Sequence, residues 1–262
     1  MPFLVTPKTS KKMREALDEV FGLRPAPDAI RKKIWHANFR ENLFLSEVAG
    51  QTVFIMLTGY GNATLGLAIL QEYNRNLKPL DPQPELYYLG SCFATAQSSL
   101  WPGDLVVARY AYSDESFEQS IYEDSRQNGN LPCFQPSKEL VIAVEKSARR
   151  LNIDISRANI YCRMTPPVKK GVKPDKLLSS WWEEFALYWG EENKYDAGEY
   201  ECAAFYAVSG LIQCPAIALL NVKDKKDEKG KYHLASPDKD TIAHHQLVQL
   251  VYEAIKIRAG IL

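Results

Sequence analysis

Three carboxylates lie beside apolar segments of the sequence, where acidic side chains are uncommon. Glu199 and Glu201 precede the run CAAF at residues 202–205, and Asp224 follows the apolar run AIALLNV at residues 216–222. A carboxylate at the edge of a packed element can bind hydroxyl groups or stabilise a cation that forms beside it. If burial raises its pKa, a carboxyl group can also donate a proton. These residue types predict acid chemistry on a small polar molecule.

Each carboxylate also has a purely structural interpretation. Glu201 can be a solvated helix residue, and Asp224 can cap a turn in a stretch crowded with lysines. Glu199 either supports Glu201 as a second carboxylate or complements the positive end of a helix. The apolar neighbours of Glu201 favour its functional interpretation, whereas the charged neighbours of Asp224 strengthen its structural one.

Strands and helices alternate along the predicted elements. Apolar and β-branched runs predict strands at residues 52–57, 85–89, 104–112, 158–164 and 216–222. Helical spacing predicts helices at residues 11–21, after Pro27, and at residues 64–73, 137–151, 199–211 and 241–259. Residues 166–177 and 223–231 are predicted loops. This order indicates an α/β fold with a central mixed sheet flanked by helices, in which ligands bind at strand ends.

Composition favours one domain, residues 1–262, acting on a small molecule. The 262 residues are 46% hydrophobic, enough for a single large core, and Lys plus Arg and Asp plus Glu both number 32. The balanced charge gives no global field for nucleic acid or an anionic membrane. Because the start differs from a secretory signal and no run approaches about 20 apolar residues, we expect a cytoplasmic location and no membrane partner.

The five cysteines are odd in number, scattered and mostly within apolar segments. This distribution predicts buried, reduced thiols, neither a disulfide framework nor a zinc site. We expect no metal and no cofactor.

Four segments, in this order along the chain, carry a resemblance to a known family. They are residues 57–62 (LTGYGN), residues 89–92 (LGSC) with residues 102–107 (PGDLVV), residues 198–204 (GEYECAA) and residues 220–224 (LNVKD). Together they resemble the nucleoside phosphorylase superfamily, which includes purine nucleoside and uridine phosphorylases and methylthioadenosine nucleosidase. The resemblance spans most of the chain from about residue 40 and implies a single-domain nucleoside-phosphorylase-like fold.

The resemblance implies cleavage of an N-glycosidic bond, with the sugar bound by Glu201 and its neighbours Tyr200 and Glu199. Such a reaction builds positive charge on the sugar ring, which a carboxylate bonded to the sugar hydroxyls stabilises. Asp224 would protonate the leaving base, which favours a purine because N7 accepts a proton. The remaining expected base contacts are Cys92, Phe93 and Met164. Tyr200 replaces the methionine usual in the family, so sugar specificity is open.

Inorganic phosphate is the nucleophile that the sequence favours by a small margin. The resemblance places Gly90, Ser91, Lys12 and Arg40 at a phosphate site, with Arg40 reaching across the interface of a homodimer or a trimer of dimers. Tyr88, however, stands where family phosphorylases carry an arginine. Two alternatives therefore stay open: hydrolysis of the same bond by water, and a nucleoside-binding protein without catalysis.

Other patterns have weaker functional interpretations. Gly59 and Gly61 lack the third glycine of a dinucleotide-binding loop. His244 and His245 lack the spacing of a metal pair and predict a solvated helix face. The aromatic residues between 181 and 189 have helical spacing and predict core packing or a subunit contact.

Overall fold

The computed structural model describes residues 1–7, 11–31, 42–58, 62–113, 133–162 and 195–261. The strands are β1 (Pro2–Pro7), β2 (Arg24–Pro25), β3 (Leu43–Val48), β4 (Gln51–Thr58), β5 (Glu85–Ala94), β6 (Leu105–Ser113), β7 (Cys133–Phe134), β8 (Ser156–Cys162), β9 (Ala197–Glu199), β10 (Ala216–Lys226) and β11 (Tyr232–Leu234). The helices are α1 (Lys11–Phe21), α2 (Asp28–Arg31), α3 (Asn62–Glu72), α4 (Lys138–Leu151), α5 (Cys202–Leu211) and α6 (Pro237–Arg258). Helix α3 continues as a π-helical segment, Tyr73–Leu77.

The described strands form one mixed sheet, as the sequence predicts. Strand β5 is parallel to β1 and β10 and antiparallel to β9. Strand β10 also pairs with β6, which pairs with β8, which in turn pairs with β9. Strands β5, β10, β6, β8 and β9 therefore close into a ring, and β1, β4, β3 and β2 extend the sheet beyond β5.

Helices cover both surfaces of the sheet because side chains alternate along each strand. On β5, Tyr88 and Cys92 belong to the core shared with α3 and α5. Tyr87 and Leu89, their neighbours in sequence, belong to the core shared with α1, α4 and α6. A side chain of β5 therefore faces one helical layer or the other according to its position in the alternation.

Several predicted boundaries were wrong. Strands β1, β2, β3, β7, β9 and β11 were not among the predicted elements, although β1 is buried between β4 and β5. Strand β5 continues past the predicted end at Leu89 to Ala94, and α6 begins at Pro237 instead of residue 241. Residues 199–201, predicted to be helical, lie at the end of β9 and at the N-cap of α5.

Residues 223–226, predicted to be loop, belong to β10 and form a hairpin with β11. Lysines are accommodated in this strand because their ammonium groups lie over aromatic rings, and that of Lys225 also donates to the carbonyl of Leu100 at 3.2 Å. The Lys225 ammonium lies 4.7 Å from the centre of the Trp101 ring, and that of Lys226 lies 5.1 Å from the centre of the Tyr232 ring. The charged composition of this segment therefore concealed a strand.

All five cysteines are free thiols, and four of them are buried as predicted, whereas Cys133 is exposed. Among the helices that the structure describes, none has both the length and the apolar character needed to cross a lipid bilayer.

Candidate active site

Glu199 is a buried carboxylate that fixes the start of α5. It accepts hydrogen bonds from the backbone N–H groups of Glu201, at 2.8 Å, and Cys202. The thiol of Cys162, on the neighbouring strand β8, donates to the same carboxylate at 2.8 Å. Burial raises the pKa of Glu199, and these hydrogen bonds oppose the rise by favouring the ionised form. The contacts give Glu199 the capping role that was one of its two predicted interpretations.

Glu201 is the N-cap residue of α5 and is only 3% exposed. Its Oε2 accepts a hydrogen bond of 3.2 Å from the hydroxyl of Tyr88 on β5. Burial raises the pKa of Tyr88 well above its ordinary value, and the nearby Glu201 and Glu199 carboxylates raise it further, so the phenol stays protonated and donates. The residue that departs from the family pattern thus contacts the predicted sugar-binding carboxylate.

Asp224 lies on β10 just after a β-bulge. Val222 pairs with Cys92 and Asp224 with Phe93, so Lys223 is an extra residue in β10. The bulge places Asp224 on the sheet surface that carries Phe93. Burial raises the pKa of Asp224 from 3.8 to about 6, and the nearby Lys223 charge limits this rise. A carboxyl group with this pKa is protonated in a useful fraction of molecules near neutral pH and can act as a general acid.

Phe93 connects the two sides of the site. Gly198 of β9 and Asp224 of β10 both pair with Phe93, so their backbones lie about 10 Å apart across β5, two strand spacings. Carboxylates on both sides of β5 act on the Cys92 thiol of that strand. Burial raises the pKa of this thiol, and the negative charges of Glu199 and Asp224 raise it further. Asp224 on β10 and the junction between β9 and α5, which carries Glu201, therefore lie on the two sides of the same end of β5.

An aromatic cluster that the sequence did not predict lies around Phe93. The Tyr195 ring lies 4.9 Å from that of Tyr161 and 5.1 Å from that of Tyr112, centre to centre. Phe93 and Tyr161 form the buried part of this cluster. Tyr161 lies within a predicted strand, so alternation could have placed its ring on one surface, but its neighbours come from distant segments.

Gly198 is required by this packing. A Cβ atom at this position would lie 2.7 Å from Cε1 and 2.8 Å from Cε2 of Phe93, closer than a side chain tolerates. The aromatic ring therefore lies directly on the backbone of β9.

The predicted phosphate-site residues take part in a chain of protein contacts. The Ser91 hydroxyl donates to Oδ1 of Asn221 at 2.5 Å, and Nδ2 of Asn221 donates to Oδ1 of Asp240 at 3.2 Å. The Lys12 ammonium donates to Oδ2 of Asp240 at 2.9 Å and to the carbonyl of Pro237 at 2.8 Å. Ser91 and Lys12 are thus brought to one region, together with a carboxylate that the sequence did not single out.

His244, predicted to be solvated, is 3% exposed and joins this region. Its Nδ1 lies 2.6 Å from the carbonyl oxygen of Asp240. Burial lowers the pKa of His244, so the neutral ring donates from Nδ1 to that carbonyl. It therefore adds no positive charge at neutral pH.

Of the other predicted site residues, three are described by the structure and the rest are not. Gly90 is buried on β5, Cys92 lies in the core under α5, and Tyr200 is half-buried beside Glu201. Arg40, Met164, the glycine loop at residues 59–61, residues 166–177 and the aromatic residues 181–189 lie outside the described residues. Within the described ranges, no three His, Cys, Asp or Glu side chains come together as a metal site.

The fold is similar to those of several proteins of known structure. The chain superimposes on purine nucleoside phosphorylase from Toxoplasma gondii with a TM-score of 0.72 and 14% identity, covering 99% of this chain and 91% of the other. It also matches the 5′-methylthioadenosine/S-adenosylhomocysteine nucleosidase of Neisseria meningitidis (TM-score 0.63, 17% identity, 98% and 100% covered) and futalosine hydrolase of Helicobacter pylori (TM-score 0.67, 12% identity, 98% and 98% covered). At these identities the likeness concerns the fold alone.

A search of curated protein sequences finds no significant match. The sequence profile of the Phosphorylase superfamily, however, matches residues 31–256, which include β3 to β10 and nearly all of α6. The matched region contains both sides of the site around Phe93. The chain therefore belongs to the phosphorylase superfamily.

Proposed function

We propose that this protein cleaves the N-glycosidic bond of a purine nucleoside, with Glu201 bound to the sugar and Asp224 as the acid. The observation that carries the proposal is the placement of Asp224 on β10 and of Glu201 at the junction between β9 and α5, on the two sides of Phe93. Asp224 shares a sheet surface with Phe93, whereas Glu201 reaches Tyr88 on the surface covered by α5. A nucleoside lying across the end of β5 would direct its base to Asp224 and its sugar to Glu201.

The two carboxyl groups have different roles in the proposed reaction. As the base departs, positive charge builds on the sugar ring, and a buried carboxylate stabilises that charge better than solvent does. The leaving base needs a proton, and the raised pKa of Asp224 supplies a protonated carboxyl group near neutral pH. N7 of a purine is the natural acceptor.

Water is the nucleophile that the described geometry supports best. Lys12 is paired with Asp240, Ser91 is bonded to Asn221, and the buried His244 is neutral. A phosphate dianion at Ser91 would meet the Asp240 carboxylate, which disfavours its binding, and Lys223, whose charge acts on both His244 and Asp224, is a described cation that would oppose this effect. Tyr88, in the position of the family arginine, adds no charge.

Phosphorolysis is the second candidate, and the turn at Gly90 with the hydroxyl of Ser91 favours it. Arg40 would have to supply the missing charge from a neighbouring subunit. The proposed nucleoside chemistry is the same in both cases, so the sugar product distinguishes them.

The test is base release from a panel of nucleosides, with and without phosphate. Hydrolysis yields free ribose at a rate independent of phosphate, whereas phosphorolysis yields ribose 1-phosphate. Glu201→Gln should retain the fold and reduce base release by at least about 100-fold, the scale for removing one electrostatic stabiliser of a transition state. Nucleoside binding in calorimetry without base release would instead identify a non-catalytic binding protein.

A further inference from the structure

Tyr88 is a buried donor at the centre of the site that the proposed chemistry does not use. It is 1% exposed, and its hydroxyl donates to Oε2 of Glu201 at 3.2 Å. The two residues are 113 positions apart in sequence, so the contact depends on the pairing of distant elements and not on local geometry. A buried hydroxyl that bonds a carboxylate restricts the orientations which that carboxylate can adopt.

The surroundings of Tyr88 hold its ring in one place. The ring packs on Phe205 of α5 with 5.5 Å between centres. On β5 it lies over Gly90, where a Cβ atom would stand 2.8 Å from both the hydroxyl oxygen and Cε1 of Tyr88. Leu220 of β10 closes the same space, at 3.0 Å from that Cβ position. Gly90 thus leaves room for the ring, and Phe205 supports it from the helix.

We propose that Tyr88 is a positioning residue that orients the Glu201 carboxylate toward the sugar hydroxyls and so determines the preference for ribosides. This inference rests on the proposed function, because it concerns how Glu201 engages the sugar. Glu201 begins α5, and its backbone N–H is held by Glu199, so its main chain is fixed as well. With the backbone fixed by Glu199 and Oε2 held by Tyr88, the side chain is constrained at both ends.

The role of Tyr88 predicts a change in substrate preference, which a general loss of stability would not produce. In the proposed binding mode Glu201 would bond the 2′-hydroxyl of a riboside, which a 2′-deoxyriboside lacks, so the orientation of Glu201 should matter more for the riboside. Loss of the Tyr88 hydroxyl should therefore lower kcat/KM for ribosides by about 10- to 100-fold, the range for a hydrogen bond to a charged group. The ratio of kcat/KM between riboside and 2′-deoxyriboside should fall about tenfold.

The experiment compares Tyr88→Phe with Tyr87→Phe on a matched pair of purine substrates, adenosine and 2′-deoxyadenosine or the pair that the wild type prefers. Phenylalanine retains the ring that packs on Phe205. Tyr87 is the matched control because it is the adjacent residue of β5, is buried on the opposite surface and donates to a carboxylate, Glu85 Oε2, at 3.0 Å. Tyr87→Phe should leave the substrate ratio unchanged.

A double-mutant cycle tests whether Tyr88 acts through Glu201. In a Glu201→Gln background, Tyr88→Phe should produce little further change, since the carboxylate that Tyr88 orients is already lost. An unchanged substrate ratio in Tyr88→Phe, or equal effects in the two backgrounds, would overturn the inference.

Failure of the role proposed for Tyr88 can be distinguished from failure of the proposed function. If the wild-type protein releases no base, the proposed function fails. The substrate ratio is then measured as the ratio of dissociation constants in calorimetry, and a ratio unaffected by Tyr88→Phe would overturn the role of Tyr88 as well.

Discussion

Replacing Asp224 with asparagine should stabilise the protein at alkaline pH while abolishing its activity. Burial raises the pKa of this carboxyl from 3.8 to about 6, so the folded protein favours the protonated form. The stabilising effect of that protonation is complete below pH 3.8 and is lost as pH rises to about 6. Above pH 6 the ionised carboxylate costs roughly 3 kcal/mol of folding free energy, since each pKa unit corresponds to about 1.36 kcal/mol.

Asparagine has the same shape and does not ionise, so Asp224→Asn avoids this cost. At pH 8 the variant should be more stable than the wild type by up to about 3 kcal/mol, and the difference should shrink as the pH is lowered to 4. Base release should fall by about 100- to 10,000-fold, the usual contribution of a general acid. In the wild type, kcat/KM should fall about tenfold per pH unit above pH 6, because only the protonated fraction of the free enzyme reacts.

Urea unfolding at pH 4, 6 and 8 measures the stability, and base release across the same range measures the activity. Asp227→Asn, in the same hairpin, is the matched control with the opposite sign. A hydrogen bond from His233 lowers the pKa of Asp227, so its ionised form stabilises the fold above the ordinary pKa, and the effect disappears in acid. A stability difference for Asp224→Asn that does not depend on pH would refute the reasoning.

Three further changes test other parts of the site. Glu199→Gln should lower the free energy of unfolding in urea by about 1–3 kcal/mol, because an amide cannot accept all the hydrogen bonds at the start of α5. Gly198→Ala should lower the free energy of unfolding by about 1–3 kcal/mol and raise KM, because the added Cβ must displace the Phe93 ring. An unchanged KM would show that the Phe93 ring does not contact the substrate. Asp240→Asn should release the Lys12 ammonium from its ion pair and raise the turnover rate in phosphate relative to phosphate-free buffer. Equal rates in the two buffers would show that the negative charge of Asp240 is not what prevents phosphate from binding.

The fold was largely predictable because its central elements are apolar runs. Strands β4, β6, β8 and β10 were all predicted, and their order with the helices indicated the α/β class. The misses have a local cause. Strand β1 is short and bounded by Pro2 and Pro7, and the end of β10 has the charged sequence KDKK, in which the ammonium groups of Lys225 and Lys226 lie over aromatic rings. The strand propensity and hydropathy of a segment contain no information about its tertiary packing or its pairing with distant strands.

The site was predictable as a set of residue types but not as an arrangement. Glu201 was identified from its apolar neighbours and from the family resemblance, and Asp224 was identified from the resemblance. Tyr88 was recognised only as a missing cation, and its contact with Glu201 depends on β5 and α5 lying together. Asp240 was not considered at all, because an acidic residue in the first turn of a helix is common for electrostatic reasons alone.

The bulge at Lys223 determines on which surface of the sheet Asp224 lies, and the sequence pattern alone does not predict this. Without the extra residue, Lys223 would pair with Phe93, and Asp224 would pair with Ala94 and point to the surface covered by α5. There it would approach the same apolar layer as Glu199 and Glu201, and three carboxylates would compete for one buried space. With the bulge, Asp224 is directed to the aromatic surface and the other two remain under the helix. The bulge therefore gives the proposed proton donor and the proposed sugar-binding carboxylate separate environments, as their different roles in the proposed cleavage require.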